Sequence, residues 1–129
     1  MKKVVYNGDY KLIPATKPSD SSAIVIDREN YLSGVLLLSS GDATGSNTVK
    51  VKLQHGSKVD GSDMTDYKPF NTVVETSALN AANTSTNLIV DLTGAKKYIR
   101  VEAITTGTAP SYSAQILLTD GQYGDNFNA

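Results

Sequence analysis

Cysteine and tryptophan are absent from this 129-residue chain, histidine occurs once and phenylalanine twice. Without cysteine there is no disulfide framework, no thiol nucleophile and no Cys-ligated zinc or iron–sulfur centre. That composition is compatible with folding in a reducing cytoplasm. One histidine does not build a multi-His metal site. Glutamate is limited to Glu29, Glu75 and Glu102, none in a setting that marks it as half of a glycosidase carboxylate pair. No GxxxxGK[ST] phosphate loop is present. Apolar runs stay far below the ~20 residues of a membrane span. The opening "MKKVVYNGDY" has two lysines but no apolar stretch of signal-peptide length. The chain is therefore expected to be soluble and unprocessed, leaving a cell only by lysis or within a particle. Twelve basic residues stand against thirteen acidic ones, a net charge of −1, which offers no field for nucleic-acid phosphates. Neither nucleic acid nor membrane is expected as a partner.

The abundant residues are Thr, Ser, Asn, Asp and Gly. Thr suits strands, and Asn, Asp and Gly suit the turns between them. "KVVY" and "YKLIPAT" flank "NGD", a hairpin-type turn, and Pro14 confines the second segment to an edge or an arm. "SSAIVID" (21–27) reads as a strand, "RENY" as a turn, and "LSGVLLLSS" (32–40) as a buried strand with apolar residues on both faces. In "TVKVKLQH", Val49, Val51 and Leu53 face a core while Lys50, Lys52 and Gln54 face solvent. "YKPFNTVVET" reads as one short strand or two, interrupted by Pro69, and "ALNAANTSTN" as a polar loop with one helical turn. "LIVDL" is a strand. "YIRVEAIT" puts Ile99, Val101 and Ala103 on one face, with Tyr98, Arg100 and Glu102 on the other. "YSAQILLTD" puts Tyr112, Ala114, Ile116 and Leu118 together. About eight closely spaced strands predict an all-β, single-domain antiparallel β-sandwich of jelly-roll type. The expected division is an N-terminal arm or edge hairpin (1–20), a sandwich core (21–120) and a polar tail (121–129).

The stretch "VKVKLQHGSKVDGSDMTDY" (49–67) holds the lone His55 with Asp60, Asp63 and Asp66. A triad needs a nucleophile within reach of the base and an acid behind it. Ser57 and Ser62 sit in turn-like sequence with no nucleophile elbow. A calcium loop alternates its oxygen ligands and closes with a glutamate, whereas these aspartates recur every third residue. Asp-Gly is a favoured turn dipeptide whose carboxylate bonds the turn's own amides. No catalytic residue, metal ligand or cofactor site is assigned.

Taken in order, "SSAIVIDRENYLSGVLLLSSGDATGSNTVKVKLQHGSKVDGSDMTDY" and "LTGAKKYIRVEAITTGTAPSYSAQILL" resemble a family of small head decoration, or auxiliary capsid, proteins of tailed bacteriophages. In that family a "KLQ" strand leads to a "DGS" turn and an aromatic-bearing strand, and later comes a "G-x-K-[KR]-Y-[IV]-R-V" strand. Here these are Lys52-Leu53-Gln54, Asp60-Gly61-Ser62 and residues 94–101. The resemblance covers about 21–119. Met64 stands where the family turn commonly has an aromatic, and the first twenty residues and the tail from Gly121 have no clear counterpart.

The resemblance implies a non-enzymatic virion protein, made in the bacterial host cytoplasm, that binds the outer surface of the major capsid protein lattice and stabilises it. It also implies a homo-oligomer, such as a trimer near three-fold positions. Open strand edges and Pro14 suit an extended arm that joins another chain's sheet. The expected capsid or subunit contacts are therefore Val4, Val5, Tyr6, Tyr10, Leu12 and Pro14, with Tyr123 and Phe127 in the tail. Alternatives are a head-fibre, connector or tail component, or a carbohydrate-binding β-sandwich, which predicts Tyr67, Tyr98 or Tyr112 clustered on an exposed face.

Overall fold

The structure, a computed structural model, describes residues 11–14, 25–28, 31–41, 46–107 and 111–121. Among the described residues eight strands run in chain order: β1 (Lys11–Pro14), β2 (Ile26–Asp27), β3 (Tyr31–Ser40), β4 (Thr48–Gly56), β5 (Thr65–Asp66), β6 (Thr84–Asp91), β7 (Tyr98–Thr106) and β8 (Tyr112–Gly121). They form two antiparallel sheets ordered β1-β8-β3-β6 and β2-β7-β4-β5. The first strand pairs with the last, the second with the seventh, the third with the sixth and the fourth with the fifth. This is one long hairpin rolled up, and the roll closes where β8 also pairs with β3 and β7 with β4. The result is a jelly roll, as the strand spacing predicts.

The core lies between the sheets. β3, β6 and β8 contribute Leu36, Leu38, Val90, Ala114, Ile116 and Leu118. β4 and β7 contribute Val49, Val51, Leu53, Ile99, Val101 and Ala103 to the same cluster. Period-two alternation produces this directly, because successive side chains on a strand point to opposite faces. Each large apolar side chain buried in full stabilises the fold by about 1.5–3 kcal/mol. Gly34 has a packing reason: a Cβ there would stand 3.1 Å from Ile116 Cδ1 and 3.4 Å from the Leu117 carbonyl oxygen.

Two segments depart from the sequence reading, and a third is described only in part. Of "SSAIVID", Ile26–Asp27 is a strand, and 21–24 lie outside the described residues. "ALNAANTSTN" is not a loop with a helical turn. The chain turns at Asn83, whose φ is 57°, and enters β6 at Thr84. Thr84, Thr86, Leu88 and Val90 form its more covered face, so β-branched threonines begin the inward pattern that apolar residues finish. After β5, "YKPFNTVVET" forms no strand where one short strand or two are expected. A 3-10 turn, Pro69–Asn71, follows, and the chain returns beside β4 through single bridges, Lys52 to Glu75 and Val49 to Leu79.

Candidate interaction surface

His55 is the penultimate residue of β4 and is partly covered. Its Nδ1 accepts the Lys96 amide at 3.1 Å, and its ring lies 5.0 Å from that of Tyr67. Burial, then the Lys96 and Arg28 charges, push its pKa below the ordinary value. The imidazole is a neutral acceptor for a backbone turn. The aspartates go three separate ways. The Asp63 carboxylate takes the Ser57 and Lys58 amides at 2.9 and 3.1 Å. Asp60 takes the Ser62 amide at 2.9 Å, in a turn where Gly61 has φ 73°. These backbone bonds hold both carboxyls below the usual carboxylate range. Asp66 instead meets Lys52 Nζ at 2.9 Å. Among the described residues no group of His, Asp and Glu is arranged to hold a metal ion.

The two outward faces differ in charge. The second sheet carries a polar network. Lys52 bridges Asp66 at 2.9 Å and Glu102 at 3.6 Å, and Lys50 meets Glu75 at 3.1 Å. Gln54 donates to Asp66 at 3.1 Å and accepts from Arg100 Nε at 3.0 Å, with Arg100 Nη2 adding a second bond. Gln54 is therefore outward but buried, not solvent-facing as its alternation predicts, because β5 and Arg100 cover it. Lys52 finds carboxylates across strands as an outward cation does, whereas Arg100 meets an amide.

On the first sheet, β3 turns Ser33, Val35, Leu37 and Ser39 outward, β6 turns Ser85, Asn87, Ile89 and Asp91, and β8 turns Ser113, Gln115, Leu117 and Thr119. Asp91 is the one charge among these positions. Val35 stands opposite both Ile89 and Leu117, so an apolar row crosses the face, with Ile89 78% exposed. Beside it, Leu37, Ser39, Ser85, Asn87, Ser113 and Gln115 line a recess of about 210 Å³.

The most exposed large apolar side chain among the described residues is Phe70, at 99%. It tips a loop closed by the Val74 amide on the Tyr67 carbonyl at 3.1 Å. Phe70 and Asn71 both take positive φ, 57° and 63°, a conformation costly for a bulky residue. The sequence reading of one short strand or two around Pro69 gave Phe70 no role, although the "PFN" turn signal was there. It also missed Arg28, whose guanidinium donates to the Lys96 carbonyl at 3.0 Å and to the Ala95 carbonyl, tying β2 to the turn before β7.

Leu12 and Pro14 lie in β1, in register with Leu117 and Gln115, and so extend the chain's own sheet at its edge. Val4, Val5, Tyr6, Tyr10, Tyr123 and Phe127 lie outside the described residues. The three tyrosines of the sugar-stacking reading do not share an exposed face. Tyr67 is 4% exposed and donates its hydroxyl to the Asp91 carbonyl at 2.8 Å. Tyr112 packs on the core, and Tyr98 lies under Lys97 Nζ at 5.4 Å. No family model, no curated protein and no solved structure matches the chain.

Proposed function

We propose that this chain is a non-enzymatic structural protein of a tailed-bacteriophage virion, a decoration protein that binds the outer surface of the major capsid lattice. What supports the reading is the resemblance, together with where its residues fall. Gln54 of the "KLQ" segment and Arg100 of the "GAKKYIRV" segment are register partners and bond to each other. The "DGS" turn precedes β5, which Asp66 ties to Lys52. These short motifs brace the second sheet and its turns, as residues of a scaffold do, and the carboxylates of Asp60 and Asp66 accept a backbone amide and a lysine.

The mechanism is mass action. A protein that binds the assembled shell and not its free subunits stabilises the shell by RT ln(1 + [L]/Kd). Many copies on a lattice add multivalent support. The first-sheet face, whose one charge among the described outward positions is Asp91, and the edge strand β1 are the surfaces best suited to protein contact.

The test is quantitative mass spectrometry of gradient-purified particles of the phage encoding the chain. Decoration predicts a copy number that is a fixed large fraction of the major capsid protein. A few to a dozen copies move the protein to a connector, fibre or tail, and absence from the particle rejects the virion reading.

A further inference from the structure

We propose that Lys52 and Asp66 condense within the folded chain, forming an amide bond that joins β4 to β5, with Glu102 carrying the protons. The bond depends on this cluster alone and not on the capsid reading above. It forms once in each chain, so it is a maturation step and not enzymatic turnover.

Strand register brings the groups together. Lys52 on β4 stands opposite Glu102 on β7. Asp66 on β5 stands opposite Gln54, which is two residues along β4 and so on the same face as Lys52. Lys52 Nζ lies 2.9 Å from Asp66 Oδ1 and 3.6 Å from Glu102 Oε2. An amine in contact with a carboxyl group is close to a near-attack arrangement, in which reacting atoms stand about 3–3.5 Å apart.

An ion pair needs one carboxylate, and Asp66 supplies it. Glu102 is the surplus. Its side chain is 10% exposed, and its Oε2 has no hydrogen-bond partner. A buried polar atom left in that state is costly, and a role in chemistry is one reason for retaining it. Gln54 completes the site. Its Nε2 donates to the same Asp66 Oδ1 at 3.1 Å, while its Oε1 is held by the Arg100 guanidinium. A donor fixed in this way stabilises the negative charge that Oδ1 takes up when Cγ becomes tetrahedral.

The step balances with no co-reactant. One proton passes from the Lys52 ammonium to the Asp66 carboxylate and ends on Oδ2, giving a neutral amine and a carboxylic acid. The Nζ lone pair forms the bond to Cγ, and the C=O π electrons move onto Oδ1. Glu102 takes a second proton from Nζ and returns it to the Oδ2 hydroxyl. The Cγ–Oδ2 bond breaks, the C=O re-forms at Oδ1 and water leaves. The products are an amide, one water and the Glu102 carboxylate. The hydrogen bond between them raises the pKa of Lys52 and lowers that of Asp66. The freshly folded chain therefore carries the ion pair, and forming the neutral pair is the slow step. Effective molarities of about 10⁵–10⁸ M for well-oriented groups offset that cost.

The bond also has a structural use. β5 is two residues long at the edge of its sheet, held by two register pairs. The chain has no cysteine to staple it. An amide from residue 52 to residue 66 closes a loop covalently, as a disulfide does.

The experiment is intact-mass spectrometry of the full chain, at purification and after days of incubation in the folded state, beside the same chain held unfolded in urea. The folded parent is expected to be lighter by one water, with residues 52 and 66 recovered in one branched peptide after proteolysis. The unfolded chain is expected to keep its full mass. Lys52→Arg keeps the cation and removes the nucleophile, and Glu102→Gln keeps the shape and removes the proton carrier. Both variants are expected to melt cooperatively by circular dichroism and to keep their full mass. A folded parent of full mass overturns the proposal. So does a Lys52→Arg chain that loses the same water, which assigns the loss to a succinimide at Asp60–Gly61. A Glu102→Gln chain that condenses at the parental rate overturns it as well.

Discussion

His55 shows how a chemically suggestive residue is absorbed by the fold. Its Nδ1 is occupied by the Lys96 amide, and partial burial with two nearby cations lowers its pKa. A base with a lowered folded pKa binds fewer protons in the folded state than in the unfolded chain. Folding stability is therefore intact above about pH 6.5, the unfolded value, and falls as the pH drops from there toward the lowered folded value. His55→Asn keeps an acceptor near the Nδ1 position and removes the titration. Urea unfolding between pH 7 and pH 5 should show the parent losing stability across that interval and the variant nearly flat. Equal slopes would reject the linkage. The turn role of this stretch was legible, since Asp-Gly and every-third-residue spacing speak for amide-bonding turns. The status of Phe70 was not. Exposure at a loop tip depends on where Tyr67 and Val74 close the loop, and no local pattern encodes that closure. Gln54 misled for a related reason: alternation assigns a face, while coverage of that face depends on β5 and Arg100.

Strands whose two faces differ in polarity were the elements easiest to read. β4 and β7 came through with their core residues intact because Val-Lys and Ile-Arg alternation leaves one register in which the apolar set is buried. β6 was half hidden, because Thr84 and Thr86 are polar residues on a covered face and resemble a loop in composition. On the outward side of β4 and β7, Lys52 is the shared cation of Asp66 and Glu102. Its pKa is raised, first by the hydrogen bond to Asp66, and that bond also holds Asp66 below the usual carboxylate range. Glu102 is buried, and its Oε2 has no hydrogen-bond partner beyond this 3.6 Å contact. Removing the cation leaves a covered carboxylate without its counter-charge. Partly buried pairs fall between exposed ones and fully buried ones, so Lys52→Met should cost about 2 kcal/mol. The double variant Lys52→Met, Glu102→Leu should recover much of that loss, since replacing both partners removes the stranded charge. Chemical denaturation of the parent, both single variants (Lys52→Met and Glu102→Leu) and the double variant measures the coupling. Two losses that simply add would show that Lys52 and Glu102 act independently.

At the scale of the molecule, the rolled hairpin gives the two ends of the described chain unequal weight. β1 and β8 are partners, yet β1 is an edge strand of four residues while β8 lies between β1 and β3. β8 also sends Ala114, Ile116 and Leu118 into the core. The strand count and the sandwich class were legible because turn residues punctuate the chain at short intervals. The jelly-roll type was legible as a class, whereas its individual pairings were not, since they join residues as distant as Lys11 and Leu118 that no local pattern connects. Loss of the two large side chains alone forfeits about 3–6 kcal/mol of burial, against a total stability of about 5–15 kcal/mol for a typical domain. It also unpairs both β1 and β3. A chain ending before residue 112 should therefore show no cooperative thermal transition by circular dichroism. A chain starting at residue 15 loses one edge pairing, and it should keep a cooperative transition at a lower temperature. It also exposes β8 as a new edge, so it should associate more readily at high concentration. If both truncations melt alike, the central position of β8 is not what holds the roll closed.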